Sequence, residues 1–130
     1  VITSVFVALY ATYILIESEN KLETIAGSFL FIAGIFLALI GIYHAGTRPH
    51  VFVSTYFFIQ SDFSIFAWSL GISKKNRILS VIFLVATLLS PLLGWTLPWP
   101  SVATQEAFGI AIISIWGITS FFYYRRLSKV

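Results

Sequence analysis

Arg48-Pro49-His50-Val51-Phe52-Val53-Ser54-Thr55-Tyr56-Phe57-Phe58-Ile59-Gln60-Ser61-Asp62-Phe63-Ser64-Ile65-Phe66-Ala67-Trp68-Ser69-Leu70-Gly71 is the stretch whose reading decides the fold, because it alone among the apolar runs carries ionisable and amide side chains deep inside it. As a helix its roughly 22 residues rise about 33 Å, enough to cross the hydrocarbon core of a bilayer. Turning 100° per residue puts His50, Ser54, Ser61 and Ser64 within roughly 80° of one another. Thr55, Asp62 and Ser69 fall on a second line about 120° away, and Gln60 lies on a third side. Unpartnered polar atoms in hydrocarbon cost several kcal/mol, so such a helix is expected inside a bundle.

Asp62 is the sharpest feature. It stands about 18 Å along the axis from His50, near mid-membrane if His50 marks the water boundary. A carboxylate there costs about 2.5 kcal/mol or more unless it is protonated, paired or facing water. The sequence leaves two roles open for it: a functional group, or a neutral carboxyl that holds helices together through serine or threonine hydroxyls or a backbone carbonyl.

Working outward, the composition agrees. The chain has 130 residues, 58% of them hydrophobic and 10% charged, with mean hydropathy +0.94. A soluble domain of this size is not that apolar, so the expected class is all-α, a polytopic transmembrane helical bundle. The runs predict one transmembrane domain over 1–130, with helices at about 1–17, 24–43, 50–72, 77–97 and 106–124. Without cysteine there are no disulfides, thiolate ligands or redox chemistry. Without methionine Val1 is no translation start, which leads us to expect a missing N-terminal part. The first run also lacks the basic leader and the cleavage motif of a signal peptide.

The second run carries Gly27, Gly34 and Gly41 at seven-residue spacing, a smooth strip that allows close helix approach. Its expected neighbour is the bulky third helix, reached through a link of His44 to Pro49 so short that the two form an antiparallel hairpin. Pro91 interrupts the fourth run, with Ser90 beside it to re-satisfy the backbone. Trp95 and Trp99 suit one interface, and Phe121 to Tyr124, followed by Arg125, Arg126 and Lys129, suits the other. If the loop from Lys74 to Arg77 is cytoplasmic, alternation puts seven of the eight Lys and Arg inside, so the expected location is the cell membrane with that loop and the C-terminus cytoplasmic. Arg48 alone lies outside, bracketed by His44 and His50. A lipid phosphate contact and a dedicated ligand site are both open to it.

Catalytic signatures are missing: no G-x-S-x-G, no phosphate-binding loop, no dinucleotide fingerprint. The two histidines lack metal-ligand spacing, so neither metal nor cofactor is expected, nor any nucleic-acid partner. Ser54, His50 and Asp62 cannot form a triad within one helix, because about 18 Å separates the last two.

The run Gly41-Ile42-Tyr43-His44-Ala45-Gly46-Thr47-Arg48-Pro49-His50-Val51-Phe52-Val53-Ser54-Thr55-Tyr56-Phe57-Phe58 resembles the domain-of-unknown-function 998 family of small prokaryotic membrane proteins, well represented in archaea. The resemblance implies about six helices, five of them visible here, with an earlier helix and a Ser-Asp-Leu-Gly-like segment missing. It also implies a distant similarity to Frag1/DRAM-type proteins, some linked to lipid remodelling, which is an analogy for function only. Where family members often carry an acid before the link, this chain has Tyr43 and His44.

Three functions from different classes follow. A binding or transport module would take a lipid headgroup, a small solute or a proton, with Arg48, His50, Ser54, Gln60, Ser61 and Asp62 as ligand-binding residues and membrane lipids as partners. A structural accessory subunit would dock its polar helix on other subunits or on a second copy. A lipid-modifying enzyme would use His50 as general base and Arg48 to bind phosphate, and no catalytic set for it is complete in the sequence.

Overall fold

The computed structural model describes residues 2–43 and 46–128, and His44 lies outside them. Five helices follow one another with short links: α1 Ile2–Glu17, α2 Lys21–Ile42, α3 Arg48–Gly71, α4 Arg77–Thr96 and α5 Val102–Ser128. Each start has a local cause. Asn20 caps α2 by accepting the Glu23 amide at 3.0 Å, which brings the helix start three residues ahead of the Thr24 expected from hydropathy. Thr47 caps α3, with Pro49 in the first turn, and Asn76 caps α4 by accepting the Leu79 amide at 3.1 Å. Ser101 and Thr104 close the first turn of α5 on each other, so that helix too begins earlier than its apolar run. Gly46 takes φ +84° in the link before α3, a backbone conformation open to glycine and strained for other residues.

Among the described residues three helices, α2, α4 and α5, are long and apolar enough to cross a membrane and no strand occurs, which makes this a helical membrane protein. α3 has the length, at 24 residues, but its serines, Gln60 and Asp62 dilute its hydropathy. It compensates by position, burying Val53, Ser54, Phe57, Ser61, Ser64, Ile65, Ala67, Trp68 and Ser69. α3 is therefore the central helix, packed along α2 and then against α4.

The glycine strip of α2 does not meet α3. A methyl at Gly27 would stand 2.9 Å from Leu15 and 3.3 Å from the Ala11 carbonyl, and one at Gly34 would stand 3.4 Å from Val7. Both glycines face α1. Close approach needs small groups on both partners, and α1 supplies them with Ser4, Ala8 and Ala11, whereas the facing side of α3 is aromatic. Rings join α2 to α3 instead, Phe29 with Phe63 at 5.8 Å and Phe36 with Tyr56 at 5.6 Å.

α5 is attached differently. Its backbone approaches α3 and α4 sparingly, and long side chains bridge the gap. Tyr13 of α1 meets Phe121 and Tyr124 at 5.9 and 6.1 Å, while Trp68 of α3 sits edge-on to Trp116, Tyr123 and Tyr124. Tyr10 donates to the Gly117 carbonyl at 3.0 Å and is also hydrogen-bonded to Ser120. Tyr123 and Tyr124 are thus buried in the bundle, not spread along an interface as an aromatic belt; Phe121 and Phe122 hold the exposed positions. α4 runs unbroken through Pro91, and the Ser90 hydroxyl donates to the Ala86 carbonyl one turn back.

The α1–α2 link, the α3–α4 link and the last turns of α5 share one end of the bundle. Glu19 pairs with Lys75, Asn20 reaches the Gly71 carbonyl at 2.8 Å, and Tyr124 reaches Glu23 at 2.5 Å. Arg48 and the α4–α5 link lie at the opposite end.

Candidate functional site

The six residues singled out from sequence do not converge. Arg48 is exposed at the first turn of α3. Half-buried His50 sits in the same turn with Nδ1 3.2 Å from the Tyr43 carbonyl, which ties the start of α3 back to the end of α2. Ser54 and Ser61 lie on the stripe that points into the core with Phe57, Ser64 and Trp68. Gln60 belongs to the α2 side, between Tyr56 and Phe63. Asp62 points about 160° away from Gln60. It lies one turn beyond Phe58, whose ring stands so close to α5 that a methyl at Gly109 would meet Cε1 at 2.5 Å. Asp62 therefore lies on the α5-facing side of the central helix.

The polar groups of α3 fall into two classes. Ser64 donates to the Ala26 carbonyl at 2.6 Å and Ser69 to the Ile65 carbonyl at 2.7 Å; the Ser69 carbonyl in turn accepts from Ser80 of α4 at 2.6 Å. The Ser64 and Ser80 bonds fasten helices together, while the Ser69 hydroxyl is satisfied within α3. By contrast the Ser61 hydroxyl, on a residue 1% exposed, has no partner among the described residues, and neither has Gln60 Oε1. Half-buried Asp62 has no hydrogen bond or ion pair among the described residues, so the hydroxyl and carbonyl partners expected for it from sequence are not in place. A buried hydroxyl without a partner costs about 1–3 kcal/mol, and one such hydroxyl flanked by an unpartnered amide oxygen and an unpartnered carboxyl marks the middle of α3 as unfinished by the contacts of the described residues.

A second polar group was missed by the sequence reading, which left Glu23 in the gap between the helices expected at about 1–17 and 24–43. Glu23 is 1% exposed and caged by α2, α3 and α5. Asn20 Nδ2 donates to Oε2 at 2.8 Å and the Tyr124 hydroxyl donates to Oε1 at 2.5 Å. That hydroxyl itself accepts from Trp68 Nε1 at 3.0 Å. Gly71 leaves room for the cage, since a methyl there would stand 3.0 Å from Asn20 Oδ1 and 3.2 Å from the Glu23 amide. The signal lay in the sequence as Asn20-x-x-Glu23, an N-cap followed three residues later by an acid that reaches back to it.

Two open grooves mark the surface. One of about 200 Å³ is lined by Phe6, Val7, Tyr10, Leu30, Ile113 and Trp116 among others, and the second follows Ser18 to Lys21 with Thr24 and Ile25. Neither is lined by any of the six predicted residues. Among the described residues no three His, Asp or Glu side chains gather as a metal site.

Comparison with family models matches residues 1–122 to the family described as protein of unknown function (DUF998). The chain belongs to this family. No curated protein and no solved structure matches it. In this DUF998 chain the matched region covers the segment that carried the resemblance, Gly41 to Phe58, and the unpartnered middle of α3; of the Glu23 cage it covers Asn20, Glu23, Trp68 and Gly71 but stops short of Tyr124.

Proposed function

We propose that this protein is a membrane-embedded binding module whose ligand, a lipid headgroup or small polar solute, is held at Ser61 and Asp62 on the α5-facing side of α3. One observation carries the reading. Ser61 is fully buried without a partner beside an unpartnered Asp62, in a helix whose other core serines, Ser64 and Ser69, are satisfied. Evolving a bundle of this size with idle polar groups at its centre costs stability, and a ligand that accepts from the serine hydroxyl and pairs with the carboxyl offsets that cost. Arg48 and His50, at one end of the same helix, suit a phosphate of the surrounding lipid, and Gln60 faces α2 away from this ligand. Transport is the extension of the same reading in which the ligand leaves toward the other end.

The test is native mass spectrometry of the protein released from membranes. We expect a bound adduct that Asp62→Asn and Ser61→Ala each reduce by tenfold or more, while Ser69→Ala retains it. An adduct indifferent to both substitutions, or no adduct from protein that is still folded, overturns the assignment. A second reading rests on α4, where only Ser80, Phe83 and Thr87 are buried: an accessory subunit with α4 against another chain. Cross-links from Leu88 to a second polypeptide in intact membranes support that reading, and uniform lipid contact removes it.

A further inference from the structure

We infer that Glu23 is a proton-binding site that fastens α5 to the bundle when ionised and releases it when protonated. This goes beyond the binding role proposed for Ser61 and Asp62 and does not depend on it.

The direction of the hydrogen bonds carries the inference. An indole Nε1 can only donate, so Trp68 must give its proton to the Tyr124 oxygen at 3.0 Å. The Tyr124 proton is then directed to Glu23 Oε1, 2.5 Å away. Asn20 is oriented independently, because its Oδ1 accepts the Glu23 amide at 3.0 Å, which leaves Nδ2 to donate to Oε2 and to the Gly71 carbonyl, each at 2.8 Å. Both carboxyl oxygens therefore accept a hydrogen bond, and the acceptor that stands opposite Oε1, the Tyr124 oxygen, already takes the Trp68 proton. An ionised carboxylate fits this cage as an acceptor of every bond offered. It also lies in the first turn of α2, where the helix dipole favours negative charge. A protonated carboxyl can donate only by reversing the Tyr124 bond, which turns the buried Tyr124 proton away from its acceptor, or by displacing the Asn20 amide.

The other titratable groups near the cage do not replace this role. Glu23 makes no ion pair among the described residues, and Lys75 of the α3–α4 link is engaged by Glu19. Lys21 is exposed beside the cage. From α1, Tyr13 meets the ring of Tyr124 edge-on and Glu17 lies at the helix end. From α5, Tyr124 is a neutral donor to Glu23, the buried Tyr123 hydroxyl has no partner among the described residues, and Arg125 stands over the Phe121 ring at 5.8 Å.

The consequence falls on α5 because its attachment is mostly polar and aromatic. With little backbone packing against α3 and α4, the hydrogen bonds of Tyr124, Tyr10 and Gln105 carry a large share of its seating. The cage lies at the end of the bundle where the links meet water, which supplies the proton and takes it back.

The test uses the full chain in lipid nanodiscs with spin labels on cysteines introduced at Leu22 and Phe122, both exposed and outside the cage, in a chain with no cysteine of its own. We expect one narrow distance at neutral pH and a second, longer population on acidification. Glu23→Gln should show the longer population at every pH, and Tyr124→Phe should lose the pH dependence. Infrared difference spectra of the unlabelled wild type should show carboxylate absorption at neutral pH that Glu23→Gln removes. A wild-type distance that ignores pH, pH dependence that persists in Glu23→Gln, or a protonated Glu23 at neutral pH overturns the proposal. Should Glu23→Gln fail to fold, the infrared spectrum and Tyr124→Phe still decide it.

Discussion

At the scale of single residues, the serines of α3 separate two meanings of a polar side chain in a membrane helix. Ser64 is a fastener, and Ser64→Ala should lower stability in detergent by about 1 kcal/mol, because it leaves the Ala26 carbonyl without its side-chain donor. Ser61→Ala removes a hydroxyl that nothing satisfies, so thermal melts should show it unchanged or slightly more stable. Asp62→Leu should follow Ser61→Ala, since no protein partner is lost. A Leu variant that melts well below wild type would mean that Asp62 has a partner within the chain. Gly109 is the opposite case: Gly109→Ala puts a methyl 2.5 Å from the Phe58 ring, and the resulting shift should cost about 1–3 kcal/mol, read as an earlier melt.

At the scale of elements, hydropathy reveals that helices exist more readily than what they touch. The five apolar runs and their order could be read from the sequence, because period and length report directly on membrane-scale helices. The partner of the glycine strip could not. Gly27 and Gly34 define a smooth face, but only the small residues Ala8 and Ala11 on the other side decide that α1, not α3, lies against it. Likewise the middle of α3 stood out by its polarity, whereas Glu23 was hidden by the apparent loop around it. The test at this scale compares two glycines of one strip. Gly27→Val must push against Leu15 at 2.9 Å and the Ala11 carbonyl at 3.3 Å and should loosen α1 from α2, seen as faster proteolysis in the α1–α2 link. Gly34→Ala enters at 3.4 Å or more, ordinary contact, and should behave as wild type.

At the scale of the whole molecule, the basic residues give the bundle its expected orientation. The links that carry Lys21 and Lys74 to Arg77 share one end with Arg125 and Arg126, and Arg48 lies at the other. Cysteines introduced at Lys74 and Ala103 of this cysteine-free chain should react with impermeant reagents from opposite faces of intact cells, with Lys74 on the cytoplasmic face. Reaction from one face alone would overturn the antiparallel arrangement, and a Lys74 site open to the outside would invert the orientation. The thin attachment of α5 has a mechanical consequence as well. Helix α2 grips α1 on one side and α3 on the other, but α5 hangs by rings and a few directed bonds. Pulled from a handle placed after α5 in a single-molecule force experiment, α5 should come away first, at low force and as one step, while α2 and α3 part only at higher load.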